Sequence, residues 1–236
     1  ISSYLRSLRS ALNWAVAENL LVTAPRIRMP RQPKGQRLIR GRPITGEEYE
    51  RMLANTGAVR SHDAADWRHY QTGLWLSGLR LVESVDLSWD DDAAFAVDLA
   101  GRFPRFRIYA EAQKGNRDTL LPMTPDFAEF LLATPEHERH GRVFRLIGLT
   151  TGEPIAAEYA GDVVSKIGRR AGVVVDKAEG KHATAHDFRR AFGTRWSNRV
   201  KPPRLQLLMR HASIQTTLGY YVEEDADDVA AELWEQ

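Results

Sequence analysis

The 236-residue sequence has no cysteine. That excludes a disulfide framework, a Cys-ligated zinc or iron–sulfur site, and thiol catalysis. No run of about 18 apolar residues occurs, so nothing reads as a membrane-spanning helix. Low-complexity tracts and internal repeats are missing as well. Hydrophobic residues make up 43% and charged residues 27%, which sets aside disordered and collagen-like chains. The first residue is Ile1 rather than Met, and no signal-peptide pattern follows it. The expectation is a piece of a longer protein.

Charge of one sign is missing from two stretches. Between Arg26 and Arg42 there are seven basic residues (Arg26, Arg28, Arg31, Lys34, Arg37, Arg40, Arg42) and no acidic one. After Tyr221 there are seven acidic residues and no basic one. The 31 acidic residues less these seven leave 24 against 33 basic, so the body carries a formal +9 although the whole chain carries +2. A basic body suits a polyanionic partner.

Apolar spacing predicts a helix over residues 3–20, with Tyr4, Leu5, Leu8, Leu12 and Trp14 on one stripe. Residues 26–43 hold three prolines and the basic run, and read as an interdomain linker. Thr45 with Glu48 is a capping-box pattern that opens a helix to about Asn55. Further helices are predicted at about 63–76, 81–87, 124–133, 157–171, 184–198, 203–210, 213–219 and 226–234. Residues 94–98, 105–110 and 118–122 read as three short antiparallel strands, with the Lys114-Gly115-Asn116 turn joining the last two. Four of the six tryptophans, Trp67, Trp75, Trp89 and Trp196, read as core.

Three stretches concentrate chemistry. In Ser77-Gly78-Leu79-Arg80-Leu81-Val82-Glu83, an Arg follows a Gly at a helix junction, and its planar fork suits a phosphate. His186-Asp187-Phe188-Arg189-Arg190 puts an imidazole and a guanidinium on one helical face. His211-Ala212-Ser213-Ile214-Gln215-Thr216-Thr217-Leu218-Gly219-Tyr220-Tyr221 sets a His nine residues before a Tyr. The His pairs 182/186 and 137/140 have no carboxylate partner of the zinc-protease kind, so no metal site is expected.

Taken together, these stretches resemble the tyrosine recombinases, or phage integrases. Arg80 matches the family's Arg in SGLR, Lys114 its hairpin Lys in QKGNRDTLLPM, His186 and Arg189 its H-x-x-R pair, and His211 and Tyr220 its last motif. The resemblance implies a mainly α fold with a small antiparallel β-sheet (α+β), that of a DNA breaking–rejoining catalytic domain over residues 44–236. Residues 1–25 then correspond to the last helix of a core-binding domain. It implies site-specific strand exchange through a 3′-phosphotyrosine, with no cofactor, metal or ATP. Type IB topoisomerases, which share the chemistry, and a non-catalytic DNA-binding protein are the alternatives.

The partners implied are double-stranded DNA and further copies of the chain in a tetrameric synapse, in a cytoplasmic, nucleoid-associated setting and with no membrane contact. Arg210 stands where the family usually has Gly, and either contacts DNA backbone or fixes a loop. Tyr221 competes with Tyr220, and His-to-Tyr spacing favours Tyr220. The acidic segment after Tyr221 docks on its own domain or on a neighbouring subunit.

Phosphate contacts along the basic linker release counterions. Affinity for duplex DNA is therefore expected to fall steeply across a salt series, and, with only one helix of the core-binding domain present, the 236-residue chain is expected to bind weakly and with little sequence preference compared with a chain carrying that whole domain. It is expected to be monomeric without DNA. Tight, salt-indifferent binding would contradict the linker reading, and a stable tetramer by solution mass would contradict the monomer.

Overall fold

A computed structural model describes residues 2–30, 41–109 and 118–221. The chain divides into two units, Ile1–Leu38 and Ile39–Gln236.

In the first unit, α1 (Ser2–Ala17) ends when Asn19 takes a left-handed φ of 58°. The Leu20 amide then donates back to Ala15 at 2.8 Å, and Arg9 donates to the Ile27 carbonyl at 2.7 Å. Tyr4, Leu8 and Trp14 are exposed.

The second unit is mainly helical. It contains α2 (Gly46–Val59), α3 (Ala64–Ser77), α4 (Leu81–Asp86), α5 (Pro125–Leu132), α6 (Ala157–Arg170), α7 (Ala185–Ser197), α8 (Pro202–Met209) and α9 (Ile214–Leu218). Strands β1 (Phe95–Asp98), β2 (Arg105–Ile108) and β3 (Thr119–Pro122) form an antiparallel sheet in that order, with Val97 opposite Phe106 and Phe106 opposite Leu121. A second, two-stranded ribbon joins β4 (Val174–Asp176) and β5 (Lys181–His182) ahead of α7. No helix among the described residues is long and apolar enough to cross a membrane.

The helices fall close to their expected places, and the capping box at Thr45 and Glu48 is present. α2 runs on to Val59, beyond the expected Asn55, because Met52 and Thr56 stay buried on its inner face. The β4–β5 ribbon is a departure. Its paired residues are too few to show a period of two in the sequence. The helix expected over 226–234 lies outside the described residues.

Trp67, Tyr70, Phe127 and Phe188 are fully buried at the centre. Phe95, Phe106, Phe127 and Phe130 follow one another at ring-centroid spacings of 5.2, 5.8 and 5.8 Å. This row ties the sheet to α5. Phe144 continues it to Tyr70 on α3, at 5.3 Å. Aromatic pairs at these distances contribute about 0.5–1.5 kcal/mol each beyond area burial. Trp67 lies in the core, while Trp75 and Trp89 pack half-buried against it. A smaller cluster of Phe192, Leu205 and Met209 joins α7 to α8, with Trp196, Tyr220 and Tyr221 on its flank.

Two glycines are fixed by close approach. A Cβ on Gly168 would lie 2.2 Å from the Ala183 carbonyl oxygen, where α6 meets the chain entering α7. A Cβ on Gly73 would lie 2.2 Å from the Phe144 ring. Gly168→Ala should therefore destabilise the domain by about 1–3 kcal/mol, as overpacking does, read as a lower urea midpoint. An unchanged midpoint would mean that α6 and the strand end are not in contact.

Candidate active site

α3 stops at Gly78, which has a left-handed φ of 60°. A Cβ there would meet the Phe192 ring at 2.3 Å, so both the turn and its neighbour require glycine. Three side chains satisfy the last carbonyls of α3. Arg195 donates to Trp75 at 2.5 Å, Thr124 Oγ1 donates to Leu76 at 3.2 Å, and Arg189 donates to Gly78. Two of the three donors are cations, which also suits the negative end of the helix dipole. Arg195 lies over the Trp75 ring at 3.5 Å as well.

Thr184 is the N-cap of α7, and Asp187 completes a capping box. Its Oδ2 accepts from the Thr184 amide and hydroxyl, both at 2.8 Å, and its Oδ1 accepts from Arg190 at 3.2 Å. Phe188 is wholly buried behind it. The two residues inside H-x-x-R thus hold the helix that carries His186 and Arg189. Arg189 is 5% exposed and bridges the carbonyls of Gly78 and Met209. Burial, followed by the charges of Arg210 and Arg80, lowers its pKa to about 10, which leaves it a cation at neutral pH. Burial and the neighbouring Arg190 also lower the pKa of His186.

α8 ends at Arg210, whose φ of 49° is also left-handed. This costs a side-chain-bearing residue about 1–2 kcal/mol. Arg80, at the entrance to α4, donates through Nη2 to the Arg210 carbonyl at 2.5 Å and through Nη1 to Glu83 at 2.8 Å. Arg210 in turn donates to Glu83 through Nη2 at 2.5 Å and through Nε at 3.3 Å. Burial pushes the Glu83 carboxyl up, but the charge and hydrogen bonds of Arg210, with those of Arg80, outweigh it and hold the pKa below the ordinary value.

His211 follows the left-handed turn directly. Its Nδ1 lies 2.9 Å from the hydroxyl of the fully buried Thr217. Ser213 caps α9 by accepting from the Gln215 amide at 3.3 Å. Burial, with Arg189, Arg80 and Arg210 after it, lowers the His211 pKa to about 4, so the ring is neutral at physiological pH. The Tyr220 ring lies nearly parallel to it, with centroids 6.0 Å apart and planes 15° apart. Tyr220 also rests on Gly193, where a Cβ would come within 2.5 Å of the ring. Burial raises the Tyr220 pKa, while the charges of Arg189 and Arg190 pull it back in part. Tyr221 commits its hydroxyl differently, donating to the Val200 carbonyl at 2.5 Å. Both tyrosines sit in the turn after α9 rather than on a helix. Gly219 has an ordinary φ of −58°, so its conformation does not require glycine.

Five of the six expected catalytic positions therefore gather at one place. Arg80, His186 and Arg189 line an open cleft of about 680 Å³, and His211 and Tyr220 stand within electrostatic reach of Arg189. Lys114 lies outside the described residues. So do Arg31, Lys34, Arg37 and Arg40 of the expected DNA-binding set. Arg26 and Arg28 are exposed. Arg42 and Arg210 make their ion pairs inside the second unit instead. Arg42 forks onto Glu48 with both bonds at 2.6 Å and reaches the Val174 carbonyl at 2.8 Å. Arg210 bonds Glu83 through Nε and Nη2. Among the described residues, no three His, Asp or Glu side chains are grouped to hold a metal ion.

Residues 42–227 match the model of the phage integrase family. The chain belongs to that family. It is 23% identical to the transposase from transposon Tn916 of Enterococcus faecalis, and to the Tn1545 transposase of Streptococcus pneumoniae, over 252 aligned residues. The alignment covers 99% of this chain and 60% of each relative's length.

Among solved structures, the Tn1549 transposon integrase in complex with transposon right end DNA superposes with a TM-score of 0.58 at 17% identity, covering 98% of this chain and 77% of that one. A lambda integrase dimer bound to a COC′ core site gives 0.61 at 16% identity, covering 91% and 72%. The fold is that of these integrase catalytic domains.

Within this integrase-family site, the sequence motifs did not reveal Thr217 as a partner of His211 or Gly193 as a seat for Tyr220. A glycine in the middle of an amphipathic helix was the available signal for the second.

The pKa of His211 has a consequence for stability. The folded ring takes up a proton only near 4, while an unfolded histidine does so near 6.5. Between those values the unfolded chain binds more protons, so stability falls as pH drops through that window. His211→Gln should flatten part of that slope in urea unfolding at stepped pH. An unaltered slope would mean that the ring is not held neutral by its surroundings.

Proposed function

We propose that the chain carries the catalytic domain of a site-specific DNA recombinase. In this reading Tyr220 attacks a DNA phosphate, forming a 3′-phosphotyrosine bond as the bond to the 5′ oxygen breaks. The energy stays in the covalent link, so a second 5′-hydroxyl can reverse the step. The observation that carries the reading is the convergence of Arg80, Arg189 and neutral His211 beside Tyr220, while Tyr221 is tied to Val200. Family membership supports it, and so do the printed DNA complexes of the Tn1549 and lambda integrases.

Negative charge gathers on the non-bridging oxygens in the transition state. Preorganised cations answer it, and here these are Arg80 and Arg189, each held in place by backbone carbonyls. With Nδ1 engaged by Thr217, His211 has Nε2 left for a phosphate oxygen. His186 is neutral and able to accept the tyrosine proton. Lys114 is assigned the proton for the departing 5′ oxygen from its motif. Duplex DNA and further copies of the chain on it are the partners, and the basic stretch from Arg26 supplies phosphate contacts.

The test is covalent capture on a nicked suicide duplex, using the full-length protein and a site recovered from a randomised pool. Tyr220→Phe should abolish capture and Tyr221→Phe should retain it. Arg80→Ala or Arg189→Ala should slow cleavage by roughly 10²-fold or more. Lys114→Ala should slow it by about 10²–10⁴-fold. A 5′-thiolate leaving group should rescue the lysine variant alone. Capture that survives Tyr220→Phe and vanishes with Tyr221→Phe would overturn the assignment. Relaxation of any supercoiled plasmid without a preferred site would favour a topoisomerase.

A further inference from the structure

Arg210 is a cation at the site that family resemblance does not supply, and its guanidinium pairs with a carboxylate, whereas that of Arg189 is held by two carbonyls. The Arg210 side chain is 10% exposed, against 46% for Arg80. It bonds Glu83 and lies 5.9 Å from the centre of the Phe106 ring. Arg80 lines the cleft of about 680 Å³, and Arg210 does not.

The Glu83 carboxylate is saturated. Its Oε1 accepts from Arg80 Nη1 at 2.8 Å and from Arg210 Nε at 3.3 Å. Its Oε2 accepts from the Arg80 amide at 2.7 Å and from Arg210 Nη2 at 2.5 Å. A carboxylate has about four acceptor positions, and all are filled. Were Arg210 absent, Glu83 and Arg80 would form a neutral pair. With it, two cations share one anion, and a net positive charge is left beside the cleft. The backbone of Arg210 acts on the same side chain, because its carbonyl receives Arg80 Nη2 at 2.5 Å.

We propose that Arg210 is a positioning residue for strand cleavage. It occupies Glu83 and so holds the Arg80 guanidinium oriented and uncompensated for the phosphate, without touching DNA itself. The proposal rests on the reading of Arg80 given above. It also accounts for a large side chain in a left-handed position that glycine fills without strain. The ion pair with Glu83 offsets the backbone cost.

Arg210→Gly keeps the turn and removes the guanidinium, so it separates the side chain from the backbone. Single-turnover covalent capture is measured with the full-length protein at saturating nicked duplex, and duplex affinity is measured separately across a salt series. Arg210→Gly should slow cleavage about tenfold, and Arg210→Lys should recover part of the rate. The affinity and its salt slope should stay unchanged. In a Glu83→Gln background, Arg210→Gly should cost less than about threefold, because residues acting through one another are not additive.

A full tenfold loss in both backgrounds would overturn the proposal. So would weaker DNA binding with a salt slope reduced by about one and an undiminished saturated rate, the mark of a direct phosphate contact. If Arg80→Ala cleaves at the parental rate, the reading of the site itself fails, and the Arg210 measurements are not what decides it.

Discussion

The second unit depends on one buried guanidinium. Arg189 closes the end of α3 and the end of α8 at once, by donating to Gly78 and to Met209. A buried cation needs hydrogen-bond partners or it is strongly destabilising, and two helix C-termini are good ones, since each offers carbonyls that the helix leaves unfilled. The match works in both directions: the helix ends gain donors and the cation gains acceptors. Because His211 follows Met209 by two residues and Arg80 follows Gly78 by two, the same contact sets the spacing of the site. Gly78 and Phe192 make this possible, since the ring fills the space a Cβ would take.

The electrostatics follow from that arrangement. Burial, and after it the charges of neighbouring guanidiniums, lowers the proton affinity of Arg189 and of both histidines. Each imidazole therefore remains neutral in a strongly positive setting, able to accept a proton or to donate one hydrogen bond. A polyanion is the partner that such a setting favours. Tyr220 lies where the cationic cluster meets the apolar cluster around Phe192. Its ring is in contact with both Gly193 and His211.

Much of this was legible in the sequence because it is local. Capping boxes need residues three apart, and amphipathic helices need regular spacing, so α2, α3, α6 and α7 appear close to where they were expected. The chemistry-bearing residues could be picked out because their types and order matched a known family pattern. What could not be read was long-range pairing. Nothing near Arg210 in sequence indicates that its partner is Glu83, 127 positions away. The β4–β5 ribbon was missed for another reason, since so few paired residues show no alternation. Arg42 looked like the end of a basic run, and its pairing with Glu48 and Val174 depends on how the chain enters the domain.

Several acceptors at the site are main-chain oxygens: those of Gly78 and Met209 for Arg189, and that of Arg210 for Arg80. A substitution changes a side chain but leaves every carbonyl in place. Such acceptors cannot be lost by mutation, only displaced by a change in backbone path. Selection on this part of the molecule therefore acts on the curve of the chain more than on the letters along it. A member of this family can stand at 16 or 17% identity to its structural neighbours and keep the fold. Position 210 shows how much latitude that leaves, since an arginine there still presents the same oxygen to Arg80.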